Sequence, residues 1–282
     1  MIRFAFSILR MQLSFARLFL PLIALLLISD LRAQQLPEID ALAKRMAGVL
    51  ARSKQKSVVV FDFFGADDKQ RISGRKLADE FSSSLQGYGR AFQVVDRSKV
   101  KDLIESYRLA PEIVRTDEIG VWLASKLHAQ AFIIGKLSIE GGQLKIDIDS
   151  YRIEGQKRLD GFAVYIRVEG GLKDLLDASS SEVVVELVSP TSVNSVPRCV
   201  FCPNPAFTDE AIRHHTSGTV ILSVVVGESG SAHDIRVVKS QPDGLTVKAI
   251  ETIQNWTFQP ARGLDGKIKE VRVVIELAWH LR

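Results

Sequence analysis

The chain has 282 residues, with 37 Lys and Arg against 33 Asp and Glu, a net charge of +4, and 46% hydrophobic and 25% charged residues. That balance is ordinary for a globular protein and excludes a disordered, collagenous or coiled-coil chain. The length exceeds what one small core organises, so two folded units are expected.

The chain opens with Arg3, Arg10 and Arg17, then an apolar run from Leu18 to Ile28, then Ser29-Asp30-Leu31-Arg32-Ala33-Gln34. This order reads as a secretory signal over residues 1–33, cleaved between Ala33 and Gln34. The apolar run is shorter than the ~20 residues that span a bilayer, although an uncleaved anchor stays open. Residues 1–33 hold Arg3, Arg10, Arg17, Arg32 and Asp30, so the remaining chain carries only +1. The basicity belongs mostly to the export segment and gives no support for nucleic-acid binding.

Residues 34–188 read as a mixed α/β unit. Leu36 to Ser53 has helical spacing through Ile39, Leu42, Met46 and Leu50. Ser57 to Phe64 is a continuous apolar strand of the doubly buried kind. A helix is expected over Gly74 to Gln86 and a short strand over Phe92 to Val95. A helix capped by Ser98 follows, and then one capped by Thr116. Strands are predicted at Ala131 to Ile139, Leu144 to Tyr151, Leu159 to Val168 and Glu182 to Val188, with a helix at Leu172 to Asp177 before the last. The strand ending in Phe64, Leu77-Ala78-Asp79, Gln93 to Ser98 and Ala131 to Gly135 resemble the CsgG/FlgO group and the N-terminal domain of TolB. No Cys lies near the cleavage point, which argues against an N-terminal lipid anchor.

Residues 189–206 are rich in Pro and Ser, lack periodicity and read as a linker. Within it Cys199 and Cys202 form C-x-x-C. In an exported chain the leading reading is a local disulfide. A redox pair and half a metal site are the alternatives, and Pro203 and Pro205 oppose the helix that a redox pair needs.

Residues 207–282 switch to a compact α+β pattern. Val220, Leu222, Val224 and Val226 share one strand face. Gly230 supplies a hairpin turn, Ala232 to Lys239 a second strand, Leu245 to Trp256 a helix and Glu270 to Leu281 a long last strand. The Gly-Thr-Val opening at Gly218, Gly230, Gly244-Leu245, Trp256-x-Phe258-x-Pro260-Ala261 and Asp265-Gly266 resemble, in order, the C-terminal domain of the TonB family. The resemblance implies a three-stranded antiparallel sheet with helices. It also implies that an extended segment of an outer-membrane transporter adds to the last strand, at Val271, Arg272, Val273, Val274, Ile275, Glu276 and Leu277. Cys202 to Phe207 stands where the family usually has Pro-x-Tyr-Pro. The short linker does not carry over a periplasm-spanning role.

No G-x-S-x-G, P-loop, H-E-x-x-H or Rossmann fingerprint occurs. His214 and His215 read as solvated, and His128, His233 and His280 are scattered. Asp67-Asp68 reads as a solvated turn, and Asp147 and Asp149 as the polar face of a strand. Trp256 and Phe258 read as helix-to-sheet packing.

The expectation is a non-catalytic periplasmic interaction protein of TonB type, with no metal and no cofactor. The alternative is an envelope scaffold or assembly factor of the CsgG/FlgO type using the C-terminal domain as an adaptor. Its partners would be an outer-membrane transporter or another envelope protein. A retained N-terminus adds inner-membrane motor proteins, and a homo-oligomer stays open.

Overall fold

A computed structural model describes residues 36–65, 69–111, 113–114, 116–169, 172–173, 176 and 193–281. The expected cleavage site at Ala33 and Gln34, the Asp67-Asp68 pair and the strand expected at Glu182 to Val188 lie outside the described residues, as does half of the helix expected at Leu172 to Asp177. The fold is α+β, as the pattern predicts.

The front half runs α1 (Pro37–Arg52), β1 (Ser57–Val60), α2 (Lys69–Gly87), β2 (Gln93–Val94), α3 (Arg97–Ser106), α4 (Asp117–Lys126), β3 (Ala131–Glu140), β4 (Gln143–Arg152) and β5 (Lys157–Arg167). Its five strands lie in the order β2-β1-β3-β4-β5. β1 is parallel to both neighbours, and β4 and β5 return antiparallel. Val58 and Val60 face α1 and α2, whereas Val59 and Phe61 face the opposite layer, and all four are buried. Two covered faces explain the unbroken apolar run.

β1 is shorter than expected. The chain leaves the sheet after Val60, Asp62 pairs with Arg97 and Arg75, and Phe64 rejoins β3 through a single bridge to Lys136. The cap of α3 is Asp96, whose carboxylate accepts from the Ser98 N–H at 2.8 Å, rather than Ser98 itself. Thr116 caps α4 as its position suggests.

The back half runs β6 (Val193–Ser195), β7 (Arg198–Phe201), α5 (Asp209–Arg213), β8 (Gly218–Val226), β9 (Ala232–Lys239), α6 (Leu245–Ile253), β10 (Thr257–Gln259), β11 (Ala261–Gly263), β12 (Ile268–Lys269) and β13 (Val271–Trp279). Its main sheet has the order β13-β8-β9 and is antiparallel. Within the stretch read as linker, β6 pairs with β11 and β7 with β10, so these residues add two short strands to the arm that carries β10 to β12. Cys199 and Cys202 are disulfide-bonded at its end.

The two halves share a core. Val59, Phe61, Phe132 and Ile134 of the front sheet, Ile104 of α3 and Leu123 of α4 belong to one buried cluster with Val220, Leu222, Ile235, Ile250, Leu277 and Trp279. The second cluster, under α1 and α2, is built from the front half alone.

Candidate functional site

The back sheet has two outer strands, and their surroundings differ. β9 is met by the segment that leaves α3. Arg108 takes a left-handed φ of 52° and turns the backbone toward β9. Leu109 then bridges Ile235 in parallel. The Ala110 N–H donates to the Ile235 carbonyl at 3.0 Å, and the Ile235 N–H to the Arg108 carbonyl at 3.2 Å. Gln254 Nε2, just past α6, donates to the Tyr107 carbonyl at 3.0 Å. The front half thus occupies part of the β9 edge with main-chain hydrogen bonds.

β13 pairs with β8 along its whole length, from Val271 opposite Val226 to Trp279 opposite Gly218. On its other side no strand pairs with it among the described residues. Alternate residues of such a strand turn their N–H and C=O outward, unpaired. The sequence-predicted residues Val271 to Leu277 all lie on this strand. Val271, Val273, Ile275 and Leu277 face the core with Trp279, and Trp279 Nε1 donates to the Ala206 carbonyl at 3.0 Å. That bond uses the one polar atom of a side chain only 1% exposed. Arg272, Val274 and Glu276 face away from the core.

Electrostatics on that outward face are uneven. The Arg272 guanidinium pairs with the Asp234 carboxylate and donates to Ser223 Oγ at 3.3 Å. Arg236 Nη2 holds the same carboxylate at 3.1 Å. Glu276 is exposed and has no ion pair among the described residues, and Val274 is 64% exposed.

The histidines do not gather. His214 Nδ1 lies 2.9 Å from the Asp243 carboxylate, so it is not merely solvated. The Thr216 hydroxyl, and then His214, hold that carboxyl below the usual carboxylate range. The effect is structural, tying the end of α5 to the turn before α6. His233 Nε2 sits 3.3 Å from Glu270. Asp149 pairs with Arg158, and Asp147 with Lys145. Among the described residues no group of three His, Cys, Asp or Glu is placed to hold a metal ion. No described helix is long and apolar enough to cross a membrane. Phe258 is buried, and the Trp256 indole N–H donates to the Pro203 carbonyl at 3.0 Å, beside the disulfide.

One acidic group was not singled out by the sequence. Glu118, in the first turn of α4, reaches the entry of α6, where Thr246 and the Gly244 N–H face its carboxylate. Its Oε1 is buried without a partner. Burial pushes its carboxyl up to about 7, against the two hydrogen-bond donors and with the help of Asp117 and Asp243. An acid in a first helical turn is ordinary, so nothing in the pattern marks it.

Residues 203–281 match the family model of the Gram-negative bacterial TonB protein C-terminal domain. No curated protein sequence matches the chain. Among solved structures, the LpoB C-terminal domain from Salmonella enterica is similar at 10% identity, covering 46% of this chain and 96% of that one with a TM-score of 0.38. The Pseudomonas aeruginosa TonB C-terminal domain is similar at 18% identity, covering 34% and 95% with a TM-score of 0.28. TolB from Acinetobacter baumannii is similar at 8% identity, covering 66% and 39% with a TM-score of 0.23. The family match supports an envelope protein-interaction module.

Proposed function

We propose that the chain is a periplasmic interaction protein of TonB type, which takes an extended segment of an outer-membrane transporter as a further strand beside β13. The observation that carries this reading is the contrast between the two sheet edges. The β9 edge is met at Ile235 by residues 108–110, whereas β13 has no pairing partner among the described residues. Each main-chain hydrogen bond to an added strand contributes about 0.5–1.5 kcal/mol net, so a short segment reaches useful affinity only if β13 is held rigid beforehand. Its nine paired residues and the buried Trp279 supply that rigidity. Such an addition needs no cofactor and no reacting group.

The test is titration of the isotope-labelled exported chain with peptides copied from transporter plug segments. Shifts concentrated in the amides of residues 271–279 support the reading. Saturating peptide with those amides unmoved overturns it.

The scaffold reading, an assembly factor using the back half as an adaptor, is favoured by the shared core. On that reading, disrupting the β13 edge leaves the cellular phenotype intact, while disrupting the junction of the halves abolishes it.

A further inference from the structure

The strand accepted by β13 is constrained by the two side chains that β13 leaves free. From the proposed addition at this edge, we infer that the partner segment carries a Lys or Arg opposite Glu276 and, two residues away on the same face, an apolar residue opposite Val274.

The outward face of β13 presents Arg272, Val274, Glu276 and Ala278 in alternation. Arg272 is already committed to Ser223 and to Asp234, a carboxylate it shares with Arg236. Glu276 is not. Its neighbour on β8 is Ile221, which supplies no counter-charge. Beyond Ile221 lies Lys239 on β9, two strand spacings or roughly 10 Å away, where solvent and salt screen it. Glu276 is therefore the charge on β13 that no described side chain pairs, and it is negative.

Val274 is 64% exposed and stands next to Ser223, with Ile221 on the diagonal. A strand laid alongside would bury Val274 under the side chain directly opposite it, and a β-branched or aromatic residue gains most from that contact. Directly opposite pairs form whichever way the added strand runs. An antiparallel segment reads basic-x-apolar, and a parallel one apolar-x-basic. An acidic residue opposite Glu276 places like charges at the closest cross-strand distance and is disfavoured.

The experiment uses the exported full chain and two blocked nine-residue Thr- and Val-rich peptides. They are identical except for Lys or Glu at the outward position two residues from a central Val. Affinities are read from the amide shifts of residues 271–279. The Lys peptide is expected to bind about two- to fivefold tighter at low salt, as for an exposed ion pair. The gap closes in about 1 M salt, where screening is nearly complete. Glu276→Lys is expected to invert the order while leaving the far-UV spectrum unchanged. If both peptides move the β13 amides but bind alike to wild type and to Glu276→Lys, the charge rule fails and the edge reading stands. If neither peptide moves those amides, the edge reading fails and takes the rule with it.

Discussion

The amide of Ala110 and the carbonyl of Ile235 meet at 3.0 Å, joining a loop of the front half to an outer strand of the back half. Between them Leu109 is buried in the cluster that both halves build. This contact does two things. It occupies part of one edge of the back sheet at Ile235, and it couples the stability of that sheet to the front unit.

Leu109→Ala is therefore expected to cost ~2–4 kcal/mol, the range for a truncated core leucine. More diagnostic is the shape of unfolding. Denaturation followed by far-UV ellipticity and by tryptophan fluorescence, with Trp122 in the front half and Trp256 and Trp279 in the back, should give one coincident transition. Two separated transitions would show that the junction contributes little.

Gly230 is a second fixed point. Its φ is 77°, and a Cβ there would stand 2.1 Å from the Phe258 carbonyl oxygen. The Phe258 N–H donates to the Gly230 carbonyl at 2.8 Å, so the turn between β8 and β9 seats β10. Gly230→Ala is expected to destabilise by about 2–3 kcal/mol, from left-handed strain plus the displaced carbonyl. Faster hydrogen exchange at Phe258 would report the loss of the seat.

The disulfide closes a loop of only four residues, from Cys199 to Cys202. Chain entropy for so small a loop gives at most about 2 kcal/mol. Replacing both cysteines with Ser should lower stability by no more than that. The loss should appear as faster exchange across residues 198–201, the strand paired with β10. Unchanged exchange there would mean the strand needs no staple.

How much of this was legible beforehand follows from where the signals reside. Strands such as β4 and β8 bury one face, so alternation in the sequence marks them. β7 exposes all four of its residues, so it has no burial pattern to read, and only its pairing with Thr257 to Gln259 makes it a strand. The meeting of Leu109 with Ile235 is a main-chain bond, which leaves no side-chain signature. The helix expected to reach Trp256 stops at Ile253, and the Trp256 indole instead turns to the Pro203 carbonyl. The family resemblance pointed to β13 as the edge, but the partial cover of β9 at Ile235 lies in tertiary contact alone.

A second contact between the halves, α4 against the entry of α6, holds Glu118. Its carboxyl sits at the junction of α4 with the entry of α6 and is raised from 4.5 to about 7, chiefly by burial. A carboxyl raised on folding binds more protons folded than unfolded, so the folded state is favoured in full below about pH 4.5. That advantage is lost as pH rises through about 7. The full shift would correspond to ~3 kcal/mol. Partial exposure of the side chain brings the expected change down to about 1–2 kcal/mol. Glu118→Gln keeps the size and an acceptor for the Gly244 N–H but cannot ionise. It should flatten the stability profile between pH 5 and 8, by about one proton's worth of slope. It should also raise the melting temperature at pH 8 above that of the wild type. Thermal melts of both chains across that range decide the matter: parallel profiles would mean that Glu118 titrates as an ordinary carboxylate and that the junction does not sense pH.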